Sequence, residues 1–239
     1  MTNSILEDAL RRNSNIPDSH PDARQTCRAS PLLNSAVVFF IGGAGDKESY
    51  YLSGPYNNIG EANDVFNRRV KDLLGTPKYL PVYLGYNEVR GEQKILRNVL
   101  KKIPSEYTRI YIVGHSLGGW NGAHLSSILA SHGYTVNMLI TLDPVGELPL
   151  VWMISNIHRE KPTPQANFWI NILANPSNPD GSDWIAEQGG RWQIKSGPAL
   201  NYIADVNHYN AKVMFSLALK DGKSAADLME DSIRKGGGI

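Results

Sequence analysis

The sequence is poor in the residue types that build metal and disulfide sites. Its 239 residues include a single cysteine, Cys27. One cysteine excludes both a disulfide framework and a thiolate metal cluster. Neither an HExxH nor an HxH pattern occurs in the chain, so the sequence predicts no metal and no other cofactor.

An excess of charge of one sign is lacking as well. Lysine and arginine number 24 against 23 aspartates and glutamates, which leaves a formal net charge of +1. We find no basic stripe with interleaved aromatic residues, so nucleic acid is not predicted as a partner.

Long hydrophobic runs are also absent. None approaches the roughly 20 residues that a membrane-spanning helix needs, and the N-terminus lacks the charged, apolar and small-residue order of a secretory signal. We therefore predict a protein that is cytoplasmic as synthesised, and any export would use a route independent of a signal peptide.

The order of the segments predicts one α/β domain with an arm in front of it. Residues 1–35 are assigned to a short amphipathic N-terminal helix (4–12) and a polar tether, and residues 36–239 to the domain. Strands are predicted at 36–41, 78–84, 109–113, 136–142, 167–173 and 200–206, and helices at 61–74, 91–103, 119–130, 211–220 and 224–234. This alternation is typical of a mostly parallel, doubly wound sheet with helices on both faces. Pro81 favours an edge position for the second strand.

The most informative feature is the segment Gly114-His115-Ser116-Leu117-Gly118. The pattern GxSxG alone arises by chance in about one chain in twelve of this length, so its setting decides its meaning. Here a predicted strand precedes it and a predicted helix follows it, which is the context of a nucleophile elbow. We interpret Ser116 as a nucleophile, and we expect the side chain of His115 to point away from it.

A serine nucleophile needs a base, and histidine is suited because its unperturbed pKa is near 6.5. Of the six histidines, His208 follows the last predicted strand and precedes a helix, at the edge of the sheet where Ser116 is expected. We predict that His208 is the base.

An acid must orient that histidine. Asp143 follows the strand after the elbow helix and is the first choice, although an Asp-Pro turn has the same pattern. Asp180 and Asp183 follow the next strand and remain alternatives, while Asp205 is too close in sequence to His208. The chain order Ser, Asp, His is that of α/β-hydrolases.

An oxyanion hole needs two backbone N–H donors. Leu117 directly follows the nucleophile and would supply one of them. Gly42-Gly43-Ala44-Gly45 follows the first strand, and we expect Gly43 or Ala44 to supply the other. The same loop lacks the spacing of a phosphate-binding loop.

Two further segments bear on the substrate. The apolar stretch 148–154 follows the proposed acid, and it suits either an acyl pocket or lid or an ordinary core segment. Tyr50, Tyr51 and Tyr56 follow the oxyanion loop and would either flank the entrance to the site or pack in the core.

The elbow, read as GHSLGG, together with Leu142-Asp143-Pro144 resembles the lipase branch of the α/β-hydrolases. The resemblance implies an α/β-hydrolase fold and a lipase or phospholipase that cleaves lipid acyl esters through Ser116, Asp143 and His208. The oxyanion loop departs from the family, because it reads Gly-Gly-Ala-Gly rather than beginning with His-Gly. A soluble ester or thioester hydrolase is the alternative, and a non-catalytic binding module on the same fold is the alternative of another class.

In overall design the chain also resembles bacterial lipase effectors of type VI secretion. It has a lipase elbow, small size, almost no cysteine and no signal peptide. This second resemblance implies an antibacterial effector that contacts the membrane of a rival cell, and an immunity protein as its partner.

Overall fold

The computed structural model describes residues 35–49, 54–219 and 221–236. The predicted N-terminal helix, nearly all of the tether, Cys27, Tyr50 and Tyr51 lie outside the described residues. The boundary between residues 35 and 36 stays a prediction, although Ser35 itself is buried and its hydroxyl hydrogen-bonds to that of Thr108 at 3.1 Å.

The core is a sheet of six strands, all of them parallel. The strands are β1 (Ala36–Gly42), β2 (Tyr79–Gly85), β3 (Arg109–His115), β4 (Val136–Leu142), β5 (Phe168–Ala174) and β6 (Leu200–Ala204). Their order across the sheet is β2-β1-β3-β4-β5-β6. The predicted edge position of Pro81 is confirmed, since β2 is an outer strand and Pro81 lies opposite Val38 on β1.

Seven α-helices join and cover the strands within the described residues. They are α1 (Asn58–Arg69), α2 (Glu92–Asn98), α3 (Leu117–Ser131), α4 (Pro149–Ile154), α5 (Gly181–Gly189), α6 (Ala211–Ser216) and α7 (Ala225–Arg234). The predicted helices 61–74, 91–103 and 211–220 are shorter than expected: they end at Arg69, Asn98 and Ser216. Helices α4 and α5 were not predicted.

Both faces of the sheet are buried, which explains why its strands read as continuous apolar runs. All seven residues of β1 are buried. Because side chains alternate along a strand, Val38 and Phe40 pack on the face covered by α1, α6 and α7, whereas Val37 and Phe39 pack on the opposite face. This arrangement confirms the predicted α/β-hydrolase fold with helices on both faces.

Parallel strands place every strand's carboxyl end at one edge of the sheet. The loops after β1, β3, β4 and β6 therefore emerge together there, which is where ligands bind in open α/β sheets. Within the described residues, no helix combines the length and the apolar character needed to cross a membrane.

Candidate active site

Ser116 occupies the turn between β3 and α3. Its backbone has φ 56° and ψ −127°, a conformation that residues with a side chain rarely adopt. Glycines on both sides allow it: a Cβ on Gly118 would collide with the backbone of Ile41, and one on Gly114 with the backbone of Gly118. The serine is 8% exposed. The turn thus presents the hydroxyl at the edge of the sheet, immediately before the first turn of a helix.

His208 lies between β6 and α6 and reaches the serine. Its Nε2 is 3.0 Å from Ser116 Oγ, and its ring is buried. Its Nδ1 is 2.6 Å from Asp143 Oδ2. The three side chains therefore form an unbroken chain of hydrogen bonds, although 92 residues separate the serine from the histidine.

Asp143 follows β4 directly, with a positive φ of 41°, and is fully buried. Its Oδ1 accepts a hydrogen bond from Ala174 N–H at 3.1 Å. Burial raises the pKa of Asp143, but the hydrogen bond and charge of His208 and the charge of Arg191 outweigh burial and lower the pKa below its ordinary value. An ionised carboxylate only accepts, so Nδ1 of His208 carries the proton and Nε2 is free to accept from the serine hydroxyl.

The other three aspartates do not contact the imidazole. Asp180 caps helix α5 by accepting from Ser182 N–H at 2.7 Å, and Asp205 accepts from Ser177. Asp183 comes close but accepts from the backbone N–H of His208, at 2.9 Å. Of the acid candidates, the structure brings only Asp143 to the ring of His208.

Arg191, which follows α5, was missed in the sequence. It is 8% exposed, and its Nε donates to Asp143 Oδ2 at 2.9 Å. Its other nitrogens donate to Asp183 Oδ1 at 2.7 Å and to Glu187. Its local sequence, Gly-Gly-Arg-Trp, carries no motif. Asp183 and Glu187 lie nearby on α5, a helix that was not predicted, whereas Asp143 is 48 residues away in sequence and meets Arg191 only in the folded protein.

The loop after β1 lies against the serine. A Cβ on Gly43 would fall 2.6 Å from Ser116 Cβ and 3.0 Å from its Oγ, so only glycine fits there without a shift. Among the residues described, neither Ala44 N–H nor Leu117 N–H has a hydrogen-bond acceptor. Unpaired donors beside Ser116 are what an oxyanion hole requires.

Asp46 stabilises the loop after β1 by hydrogen bonds. It is buried, and its carboxylate accepts from Ile59 N–H and from the Tyr83 hydroxyl, both at 3.0 Å. Burial raises the pKa of Asp46, and these hydrogen bonds only partly offset that effect. A Cβ on Gly42 would collide with this side chain at 2.7 Å, so the loop conformation depends on both residues.

His115 contacts the imidazole of the site, which the sequence did not indicate. Its ring centroid is 4.7 Å from that of His208, and its Nε2–H donates to the backbone carbonyl of His208 at 2.8 Å. His115 also lines the same cavity as Ser116, and the expectation that its side chain points away from that of Ser116 stays a prediction. Burial, with the nearby charge of His208, lowers the pKa of His115 to about 3, and the ring stays neutral.

A cavity of about 790 Å³ opens beside Ser116 and His208. Its apolar lining comes from Ala44, Ile185 and Tyr56. Tyr56, which was predicted to flank the entrance or to pack in the core, lines the cavity and is 58% exposed. Polar lining comes from Asn58, Glu61, Asp180, Ser182, Tyr209, Asn210 and Lys212. The volume lies in the range of ordinary ligand pockets.

The apolar stretch 148–154 forms α4 and its N-cap and does not line this cavity. Leu148, Leu150, Met153 and Ile154 are exposed, and Val151 is buried. Val151 belongs to the core on one face of the sheet and Trp152 packs against it, so the segment is only partly a core segment, and a role as a lid stays a prediction.

In the described part of the chain, no group of three or more histidine, cysteine or acidic side chains is placed to hold a metal ion.

Comparisons with known proteins give structural likeness only. No protein-family model and no curated protein matches the chain. The solved structures similar to it include YbtT, a type II thioesterase from the yersiniabactin NRPS/PKS biosynthetic pathway, with 10% identity, a TM-score of 0.43, and coverage of 86% of this chain and 95% of that one. ClbQ from the colibactin NRPS/PKS pathway has 9% identity, a TM-score of 0.40, and coverage of 84% and 98%. RedJ, with a PEG molecule bound in its active site, has 10% identity, a TM-score of 0.42, and coverage of 92% and 96%.

Proposed function

We propose that this chain is a serine-dependent hydrolase of acyl esters or thioesters, with Ser116, His208 and Asp143 as its catalytic residues. The observation that carries the proposal is the continuous hydrogen-bonded chain from Ser116 Oγ through the imidazole to Asp143, at 3.0 and 2.6 Å. These distances lie within reach for proton transfer.

The reaction proceeds in two halves. Nε2 of His208 takes the hydroxyl proton as Ser116 Oγ bonds to the acyl carbon, and the resulting imidazolium is stabilised by Asp143. The proton then passes to the departing alcohol or thiol, which leaves an acyl-serine. Water, deprotonated by the same imidazole, attacks the acyl carbon, and the acid is released as Oγ recovers its proton.

Backbone donors stabilise the charge that develops on the carbonyl oxygen. Leu117 N–H supplies one donor and the N–H of Gly43 or Ala44 the other, since the absence of a side chain on Gly43 lets this loop approach Ser116. In related chemistry, loss of one such donor costs roughly 10²–10³ in kcat.

The cavity favours a substrate with both an apolar and a polar part. Ile185 and Tyr56 provide apolar contact, whereas Asn58, Asn210 and Lys212 offer hydrogen bonds. Because α4 does not line the cavity, it does not form the pocket that the sequence analysis expected for the acyl chain of a lipid. Lipid esters, soluble esters and thioesters are therefore tested as separate substrates.

The experiment measures hydrolysis by purified protein of p-nitrophenyl esters from two to sixteen carbons, acyl-N-acetylcysteamine thioesters of the same chains, and phosphatidylcholine vesicles. Wild type is compared with Ser116→Ala and with Ser131→Ala, a matched control whose hydroxyl is exposed at the far end of α3. We expect turnover by wild type and S131A that S116A loses. The preferred arm identifies the bond that is cut.

Failure of wild type, shown to be folded by circular dichroism, on every substrate would contradict the proposal and favour the non-catalytic binding module. Preference for vesicles would restore the lipase and phospholipase interpretation. The effector role, its membrane contact and its immunity protein stay predictions from the sequence.

A further inference from the structure

Asp143 divides one oxygen between two donors. Oδ2 accepts from His208 Nδ1 at 2.6 Å and also from Arg191 Nε at 2.9 Å. The two nitrogens are therefore less than about 6 Å apart, within the range at which one charge shifts the titration of another by about one to three pH units. A permanent cation thus faces the ring that becomes cationic during the proposed reaction.

Arg191 is held in place by a second buried carboxylate. Asp183 is 3% exposed, and its Oδ1 accepts from Arg191 Nη2 at 2.7 Å and from the backbone N–H of His208 at 2.9 Å. Its Oδ2 accepts from Asn207 Nδ2 at 2.8 Å. The residue thereby ties the loop that carries His208 to helix α5.

We propose that Arg191 and Asp183 are positioning residues that hold His208 in hydrogen-bond reach of Ser116 and have opposite effects on the stability of its protonated ring. The inference rests on the proposed function for its kinetic readout. Arg191 disfavours the imidazolium by its charge, and Asp183 favours the imidazolium while holding the backbone that carries it.

Apart from Asp143, the other titratable groups near His208 have a weaker electrostatic effect on its ring than Arg191 and Asp183 have. Helix α5 also supplies Glu187, which pairs with Arg191 but is 60% exposed on its side chain. Strand β3 supplies His115, which is neutral. The other acidic and basic side chains that line the cavity lie on α1, at the N-cap of α5 and on α6: Glu61, Asp180 and Lys212. Glu61 and Lys212 neutralise each other at 2.6 Å, and both are exposed, so solvent screens them.

The opposite signs distinguish this role from simple structural support. Removing the cation in Arg191→Met leaves two buried carboxylates beside the imidazole, which favours its protonated form. Removing a negative charge in Asp183→Asn, with nearly the same shape, disfavours that form. Damage to the fold alone would lower kcat in both variants without moving their pH dependence in opposite directions.

The experiment records the pH dependence of kcat/KM and, in parallel, the NMR titration of the His208 ring in isotope-labelled protein. We expect the midpoint of the acidic limb to move up by about one pH unit in R191M and down by a similar amount in D183N. Arg191→Lys keeps the charge and loses the forked contacts, so its midpoint stays near that of wild type while kcat falls. Arg234→Met is the matched control, since Arg234 pairs with Asp72 and Glu230 away from the site, and its profile should equal that of wild type.

Midpoints in R191M and D183N that stay within about 0.3 pH units of wild type, or that move in the same direction, would overturn the inference. If R191M does not fold, D183N and R191K still test the inference. A downward shift of the midpoint in D183N together with an unchanged midpoint in R191K supports it, and any other combination of results refutes it. The ring titration needs no turnover. A wild type without Ser116-dependent activity would therefore defeat the proposed function while the NMR midpoints still test the roles of Arg191 and Asp183.

Discussion

Gly43→Ala offers the sharpest test of how the loop after β1 meets the serine. The new Cβ would lie 2.6 Å from Ser116 Cβ and 3.0 Å from its Oγ, whereas carbon atoms in contact are ordinarily about 3.5–4.0 Å apart. Roughly 1 Å must be relieved. Because both Cβ atoms are attached directly to backbone, no side-chain rotation relieves it, and either the elbow or the oxyanion loop must move.

A displacement of about 1 Å at a reacting group costs on the order of 10²-fold in rate, and loss of an oxyanion donor costs 10²–10³-fold. We therefore expect kcat of G43A to fall by roughly 10²–10³. Overpacking of this kind typically costs about 1–3 kcal/mol of unfolding free energy, which leaves the protein folded.

The assay compares kcat on the preferred substrate with thermal unfolding, for G43A and for Gly60→Ala. Gly60 is a matched control because it is buried in α1 and its new Cβ would make only ordinary contacts, at 3.4 Å or more. We expect G60A to retain full activity. Wild-type kcat in a folded G43A would refute the placement of this loop against Ser116.

Two further predictions follow from named contacts. Asp143→Asn should keep the fold but lower kcat by about 10⁴-fold, as the equivalent change does in a serine protease triad. The asparagine amide can donate to Nδ1 of His208, which places the ring proton on Nε2 and leaves no acceptor for the serine hydroxyl. Activity within tenfold of wild type in a steady-state assay would refute this role. Asp227 hydrogen-bonds to Ser224 and pairs with Arg69, and these contacts lower its pKa to about 2 although burial opposes the shift. A carboxyl pKa that is lower in the folded than in the unfolded protein stabilises the fold at pH values above the unfolded pKa, near 3.8. That contribution disappears as the pH falls toward 2. Asp227→Asn should therefore lose about 1 kcal/mol of unfolding free energy at pH 7, after discounting for solvent screening of this partly exposed pair. Its unfolding free energy should also decline less steeply than that of wild type between about pH 4 and pH 2. Urea unfolding across that pH range checks the prediction, and parallel curves of unfolding free energy against pH would refute it.

The architecture was predictable because its signals are local. Apolar runs bounded by glycine or polar residues located all six strands to within two residues at each end, and the helical pattern after Ser116 located α3. The last helix was equally readable, since Ser224 caps it and accepts from Asp227 N–H. Helix ends were less accurate, because residues such as Val70 and Val99 continue the apolar pattern after the backbone has left the helix.

The candidate nucleophile, base and acid were also readable, since each follows a strand and parallel strands end at one edge of the sheet. The sequence favoured Asp143 but left Asp180 and Asp183 open, because the choice depends on which carboxylate faces Nδ1 of His208. Asp183 reaches the backbone of the same residue instead, a difference of a few ångströms that no sequence pattern encodes.

The sequence by itself determined the alternation of strands and helices, the glycine-flanked turn at Ser116 and the chain order of the three candidate residues, because these depend on contacts between near neighbours. Only the tertiary structure decided that Arg191 shares an oxygen of Asp143, that His115 lies against His208, and that α4 does not line the cavity. Those facts depend on segments tens of residues apart meeting at one edge of the sheet, and packing in three dimensions sets their distances.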